Sequence, residues 1–248
     1  MSAALLAQAL AAAWDSAPIS LEAAQQPADA AVAHAAQHLT LAARGWRLGA
    51  WKVGAKAPDG PPQGAPLPPP LPSPAALPLA RRGRFLGLEL ELAFRIGRRF
   101  EPRATPYTMA QALAGVDGVC AAIELVASRL APGPTPPGAL AQLADLQNHG
   151  ALVVGECRPY DPGFPFAAPA LSWQLDGRDV TPPHPANPAG DPRRLLAWVL
   201  NHSLAQGVPV EPGLLITTGS FTGVLRPERP GTALGRIAGL PPVQLSLM

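Results

Sequence analysis

Cysteine is nearly missing from this sequence: Cys120 and Cys157 are the only two in 248 residues. No C-x-x-C spacing joins them, and both lie in apolar stretches, so they read as small, inert core residues of a protein kept in a reducing, cytoplasmic compartment. An excess of charge of one sign is also missing. Nineteen Lys and Arg against 17 Asp and Glu leave a formal charge of +2, and the longest basic clusters are the pairs Arg81-Arg82, Arg98-Arg99 and Arg193-Arg194, which gives no support to nucleic-acid binding. No run of about 20 apolar residues is present, so a membrane-spanning helix is not expected. The opening M-S-A-A-L-L-A-Q-A-L-A-A-A-W-D lacks a basic leader and carries Gln8 and Asp15 beside a helical stripe of Leu6, Leu10 and Trp14, so it reads as a helix rather than a secretory signal. No G-x-S-x-G elbow, Walker loop or G-x-G-x-x-G is found, which leaves serine hydrolases, P-loop enzymes and Rossmann dehydrogenases without support.

What is present is enough apolar residue, 48%, with 15% charged, to build a soluble globular protein with one large core or two modest ones. Periodicity predicts helices over 3–14 and about 29–44, the second with Val32, Ala35, Leu39 and Ala42 on its apolar face and Gly45 as its stop. His34 and His38, one turn apart, read as helix-surface residues. The 33 prolines concentrate in Pro58 to Pro78, which predicts an extended, polyproline-like loop without helix or central strand, and a flap over a site. Thr105-Pro106 predicts a helix start, Asp176-Gly177 a hairpin turn, and Asp191-Pro192 a helix with Leu195, Leu196, Val199, Leu200 and Leu204 inward and Gly207 at its end.

The chemistry concentrates in F-L-G-L-E-L-E-L-A-F-R-I, residues 85–96. Leu86, Leu88, Leu90, Leu92, Phe94 and Ile96 alternate with Glu89 and Glu91, the period of a strand with one buried face. Two carboxylates two residues apart on one face repel unless a cation or water intervenes. A third, Glu124, stands inside the apolar run V-C-A-A-I-E-L-V-A, where a lone carboxylate is costly unless paired or metal-bound. Three oxygen-donating acids suit Mg²⁺ or Mn²⁺ better than Zn²⁺. In W-K-V-G, Trp51 and Val53 flank Lys52 on the opposite face, a setting expected to lower the lysine pKa toward neutrality and make it a proton shuttle. Thr218, Gly219 and Ser220 place hydroxyls and a flexible backbone at a strand end, fit to grip a small carboxylate. Asp145, Asn148 and His149 form a polar cluster at a strand entrance that reads as a site wall or as turn-forming residues.

Taken in order, W-K-V-G, L-E-L-E-L-A-F, A-I-E-L-V-A-S-R-L and T-T-G-S-F-T-G with a following P-G turn resemble the 2-keto-4-pentenoate hydratase and 4-oxalocrotonate decarboxylase group of the fumarylacetoacetase-like superfamily. The resemblance implies an α+β fold: a mixed β-sandwich or roll over 51–248, preceded by a small helical region over 1–50. It further implies Glu89, Glu91 and Glu124 as ligands of Mg²⁺ or Mn²⁺, Lys52 as the catalytic lysine and Ser220 as the substrate-carboxylate contact; Thr218, Gly219 and Asp145 are expected beside them as substrate-binding residues from their own setting. The implied activity is a lyase of aromatic catabolism, a hydratase adding water to a 2-hydroxy-2,4-dienoate or 2-oxo-enoate. Alternatives are a 2-oxo acid decarboxylase, an acylpyruvate hydrolase or a non-catalytic relative. The partner is a small 2-oxo or 2-hydroxy-dienoic acid, neither nucleic acid nor membrane, and a homo-oligomer is expected. Two departures stand out: Ala127 replaces an aspartate of the group, and the proline-rich stretch replaces a P-D-F-G-like segment. The hydrolytic branch has a histidine shortly before the metal strand, and none lies between Lys52 and Glu89, which counts against hydrolysis.

Overall fold

Two long strands carry the architecture. In the computed structural model, which describes residues 1–78, 84–133 and 136–248, strand β5 spans Arg84–Ile96 and strand β6 spans Val116–Ser128. They pair antiparallel along nearly their whole length. Leu88, Leu90, Leu92, Phe94 and Ile96 lie fully buried in the main core, as the alternation requires, together with Val119, Ala121, Ile123 and Leu125 of β6. Around this pair a mixed sheet is built from β1 (Ala50–Gly54), β2 (Gln63–Leu67), β3 (Leu71–Pro72), β7 (His149–Val154), β8 (Arg158–Pro159) and β11 (Leu215–Ser220). Its order is β2-β1-β11-β5-β6-β7-β3, with β8 also on β6. A five-stranded sheet runs β10-β9-β12-β13-β4, with β4 Ala75–Leu77, β9 Leu171–Leu175, β10 Arg178–Asp179, β12 Gly231–Ile237 and β13 Val243–Leu247. Trp173, Ala233, Val243 and Leu245 of this second sheet share the main core with β5 and β6.

The N-terminal helices are α1 (Ala3–Ala12) and α2 (Ala30–Ala43), capped by Ser2 and Asp29. Leu6, Leu10 and Trp14 are buried as expected. The buried face of α2 differs from the expected one: it is Ala33, Ala36, Gln37, Thr40 and Leu41, while Leu39 is 41% exposed. The polar Gln37 turns inward because its amide nitrogen is fully used, donating to the carbonyls of Gly64 and Leu143 at 3.2 and 2.6 Å. Leu6, Leu10 and Ala36 pack with Leu130, Ala141 and Leu143, so the helical region shares a core with α4 (Ala139–Ala144) and the chain after β6. A backbone bridge from Ile19 to Leu130 ties the two.

The proline-rich stretch is the principal correction. Residues 58–78 contain β2, β3 and β4. The reading as a long loop without regular structure fails because proline is tolerated at sheet edges, where its missing N–H costs no ladder bond. Strands β2 and β3 are the two edges of the large sheet and β4 is an edge of the second. The longest part left as loop is the one between β1 and β2. The third helix, α3, spans Met109–Leu113 and is capped by Thr108 in a reciprocal box with Gln111, later than the expected Thr105 start. Helix α5 (Arg194–Ala205) buries the five expected residues, and Gly207 leaves it at φ 74°. The hairpin of β9 and β10 turns at Asp176-Gly177, both at positive φ, the geometry of a two-residue primed turn. Arg81-Arg82 lies outside the described residues. Among these residues no helix is long and apolar enough to cross a membrane.

Candidate active site

Pairing registers bring the acids together. Glu89 sits directly opposite Glu124 across β5 and β6, and Glu91 lies opposite Ser220 across β5 and β11. Like charges directly opposite on a sheet destabilise it. Burial sharpens the cost: Glu91 is 2% exposed and Glu124 is fully buried. One carboxylate oxygen from each of Glu89, Glu91 and Glu124 lies within 4.8 Å of the others.

Each acid is aimed by the protein. Glu124 Oε1 accepts from Lys52 Nζ at 2.6 Å and lies 3.0 Å from His149 Nδ1. Its Oε2 is buried and has no hydrogen-bond partner among the described residues. Glu91 Oε2 accepts from the Thr217 hydroxyl and from the Gly219 N–H, the latter at 2.9 Å. This grip depends on a register shift in β11 between Thr217 and Ser220, where Gly219 takes φ 87°. A side chain at that φ would be strained, so glycine is the natural occupant. Asn187 braces the same turn, its side-chain nitrogen donating to the carbonyls of Thr218 and Gly219 at 2.8 and 3.0 Å.

The electrostatics follow from crowding. Burial, and then the Glu124 charge, push Glu89 up to about 7. The same two causes, with Glu89 added, push Glu91 up to about 8. Burial works against the charge on Glu124 too, but the Lys52 ammonium and the His149 contact hold its carboxyl below the usual range. Lys52 departs from expectation. Its apolar neighbours Trp51 and Val53 point to the other face, and although burial opposes its charge, Glu124, Glu89 and Glu91 hold its pKa above the ordinary lysine value. Lys52 rests as an ammonium.

The second hold on Lys52 was not foreseen. Its Nζ donates to the Gln147 carbonyl at 3.1 Å. That carbonyl is presented by a left-handed turn, Leu146, Gln147 and Asn148 at φ 48°, 51° and 58°. Such a conformation costs roughly 1–2 kcal/mol per non-glycine residue, so packing must over-determine it. The Asx residues at 145 and 148 signalled a turn there, but not its hand.

Not every expected residue joins the site. Asp145 is 1% exposed, and its carboxylate is spent on the Arg129 guanidinium at 2.6 Å, the Arg129 N–H at 2.9 Å and the Ser128 hydroxyl at 2.9 Å. It is a structural anchor with no oxygen turned to a substrate, which corrects its assignment to the wall. Thr218 is fully buried and donates to the Leu92 carbonyl, so its hydroxyl also faces away. Gly219 and Ser220 do line a cavity of about 360 Å³ with Glu89, Asn187, His184 and Thr222. The Ser220 hydroxyl donates to the Gly223 carbonyl at 3.0 Å and accepts from the Thr222 N–H. A second cavity, about 430 Å³, is lined by Lys56, Pro61, Gln63 and Gln147, and the two share Gly54 and Ala55. Glu89 thus lines one cavity and Lys56 the other. Ala127, where the related group has aspartate, is fully buried in the main core. His34 and His38 do not lie free on the helix: His34 packs 4.4 Å from the His202 ring and His38 6.0 Å from Trp51.

Residues 13–236 match the family described as fumarylacetoacetate (FAA) hydrolase C-terminal. The chain belongs to this family. The two long central strands and the three acids lie within the matched residues. No curated protein matches the sequence. Among solved structures, 4-oxalocrotonate decarboxylase from Pseudomonas putida G7, complexed with magnesium and adipate, superposes with TM-score 0.82 at 17% identity, covering 99% of this chain and 97% of that one. Fumarylpyruvate hydrolase from Pseudomonas aeruginosa, in complex with Mn²⁺ and pyruvate, gives 0.57 at 19% identity over 82% of this chain and 90% of that one. The 2-hydroxyhepta-2,4-diene-1,7-dioate isomerase from Mycobacterium marinum gives 0.55 at 19% identity over 81% and 74%. These likenesses establish a shared fold.

Proposed function

We propose that this FAA hydrolase family member is a divalent-metal-dependent lyase acting on small 2-oxo or 2-hydroxy-dienoic acids. The observation that carries the reading is the buried, partnerless Oε2 of Glu124 within the triad of Glu89 and Glu91. Such an atom costs several kcal/mol unless something binds it, and an all-oxygen donor set fits Mg²⁺ or Mn²⁺. Magnesium and manganese in the superposed decarboxylase and hydrolase support the same reading. When bound, the ion would supply a charge sink for a 2-oxo acid held through its carboxylate and 2-oxygen.

The chain's own groups supply the rest. Lys52 enters protonated. Of its three N–H bonds, Glu124 and Gln147 take two, which leaves one to give a proton to the substrate or to stabilise developing negative charge. Gly219 and Ser220 shape the end of the cleft beside Glu89, and the proline-bearing loop 55–62 walls the other end. Enclosure of this kind strengthens each electrostatic contact.

Addition of water to a dienoate is the reading expected from sequence. Loss of CO₂ is the second, and Lys56 favours it: an ammonium at the far end of the cleft, beside Gln63 and Gln147, suits a substrate with a second carboxylate. Adipate in the superposed 4-oxalocrotonate decarboxylase is such a diacid. The test is a panel of mono- and dicarboxylic 2-oxo and 2-hydroxy-dienoic acids, followed by dienol absorbance and CO₂ release with Mg²⁺ or with chelator. Metal-dependent turnover of at least one acid is expected. Inertness toward the whole panel, or turnover indifferent to chelator, would overturn the reading.

A further inference from the structure

The two cysteines, read from sequence as inert and unrelated, meet. Strand β8 pairs antiparallel with β6 as Gly118 with Pro159 and Val119 with Arg158. One pair further, this register sets Cys120 opposite Cys157. The N–H of Tyr160 donates to the Asp117 carbonyl at 3.1 Å, so hydrogen-bonded pairs fall at 117/160 and 119/158. Cys120 and Cys157 therefore occupy the alternate, non-hydrogen-bonded site, where opposed Cα atoms stand about 4.5 Å apart, within the span a disulfide accepts. The two side chains share one small cluster with Ala93, Ala122 and Leu152, where the Cys120 thiol donates to the Ala93 carbonyl at 3.8 Å.

The pair is asymmetric. Cys120 is fully buried and Cys157 half-buried. Just past Cys157 the ladder slips by one residue, since Gly155 rather than residue 156 donates to the Ala121 carbonyl at 2.9 Å. That slip leaves Cys157 at the rim of the sheet. Interaction with the Cys120 thiol, with Arg95 nearby, holds the Cys157 thiol below its ordinary range, while the same interaction and burial push Cys120 up. An accessible sulfur favoured as thiolate, with a protonated partner behind it, is the arrangement of an attacking and a resolving thiol.

We propose that Cys120 and Cys157 form a peroxide-oxidisable dithiol that closes to an intramolecular disulfide between β6 and the segment leading into β8. The oxidant is a hydroperoxide. The Cys157 thiolate attacks its O–O bond and is oxidised to a sulfenic acid, releasing water or an alcohol. Cys120 then attacks the sulfenic sulfur, its proton leaving with the hydroxyl as a second water. Two thiols lose two electrons and two protons, and one peroxide is reduced. A reducing compartment returns the pair to thiols.

Because the chain holds two cysteines, thiol counting is unambiguous. Reduced full-length protein is treated with stoichiometric hydrogen peroxide, quenched with maleimide, unfolded and titrated for thiols, with a non-reducing peptide map in parallel. The expected result is a fall from two thiols to none, one peptide pair linking Cys120 to Cys157, and recovery of both thiols with dithiothreitol. In Cys120→Ser, Cys157 should stop at a sulfenic acid that dimedone traps. Two thiols persisting in treated wild-type protein, sulfinic acid on Cys157 with Cys120 still free, or disulfide-linked dimers would each overturn the proposal, and none of these readings depends on the variant folding.

Discussion

Lys52 and His149 meet on one oxygen: both reach Oε1 of Glu124, at 2.6 and 3.0 Å, and leave its Oε2 without a partner among the described residues. The division of labour within a single carboxylate separates two roles. One oxygen holds the lysine as an ammonium, and the other is buried and left over for a ligand. Replacing Lys52 by alanine should therefore cut turnover by roughly 10²-fold or more, the scale of losing a proton donor. Divalent-ion binding should survive, since Oε2 is untouched. Near-normal turnover in Lys52→Ala would refute the role. Loss of metal binding in the same variant would show instead that the lysine is needed to hold Glu124 in place.

Metal binding should be coupled to protons. Glu89 and Glu91, raised to about 7 and 8 by burial and mutual repulsion, are partly protonated at neutral pH in the free protein. A cation displaces those protons, so affinity should rise with pH from about 6 to 8. Calorimetry with Mg²⁺ or Mn²⁺ in two buffers of different ionisation enthalpy should report proton release that shrinks above pH 8. Glu89→Ala should abolish binding. Unchanged binding in that variant, or no buffer dependence at neutral pH, would contradict the assignment.

Much of this site was legible because strand periodicity is rigid. Glu89, Glu91 and the six apolar residues between and around them could occupy only one pair of faces, Leu86 alone falling at the register shift between Phe85 and Gly87 instead of in the core, and Glu124 stood out as a charge within an apolar run. Lys52 opposite Trp51 and Val53 followed by the same rule. What pairing decides could not be read so. The Lys52 pKa departs from the sequence reading because its neighbours along the chain are apolar and its strand partners are Ala65 and Thr217, while the acid it meets, Glu124, comes from β6 with β11 and β5 between. Asp145 looked like site wall until its partner Arg129, distant by a turn and a helix, accounted for it. The thiol pair was invisible because Cys120 and Cys157 are brought together by a strand of two residues. The proline-rich stretch misled for a different reason: proline marks an edge as readily as a loop.

Asp145 offers a test that separates structure from chemistry. Its carboxylate and the Arg129 guanidinium are both about 1% exposed, and the guanidinium also donates to the His149 carbonyl and lies over Trp14. Removing one partner of such a pair leaves a buried, uncompensated charge and typically costs about 3–5 kcal/mol. Asp145→Ala should lower the denaturation midpoint accordingly, while Asp145→Asn, which keeps an acceptor, should cost less. A substrate-wall role would instead raise KM at unchanged stability.

The last expectation concerns acid stability and lies away from the acids. His202 on α5 stacks on Trp198 at 4.5 Å, and His34 and His38 reach it from α2. Burial first, and then His34 and His38, hold the His202 pKa down at about 4, against 6.5 for an ordinary histidine. Between those values the unfolded chain binds a proton that the folded chain refuses. Stability from this group is therefore complete above about pH 6.5, declines as pH falls toward 4, and declines no further below that. His38, also lowered by burial, adds to the same slope. A phenylalanine at 202 keeps the stack on Trp198 and removes the proton, so His202→Phe should flatten the fall in urea midpoint between pH 7 and pH 4.5. The ring is only partly buried, so the effect should be modest; His38 adds to the slope, whereas Glu89 and Glu91, raised in the folded protein, work against it. An identical slope in wild-type and His202→Phe would show that the ring titrates as it does in the unfolded chain, and that the packing of α2 against α5 does not depend on a neutral histidine.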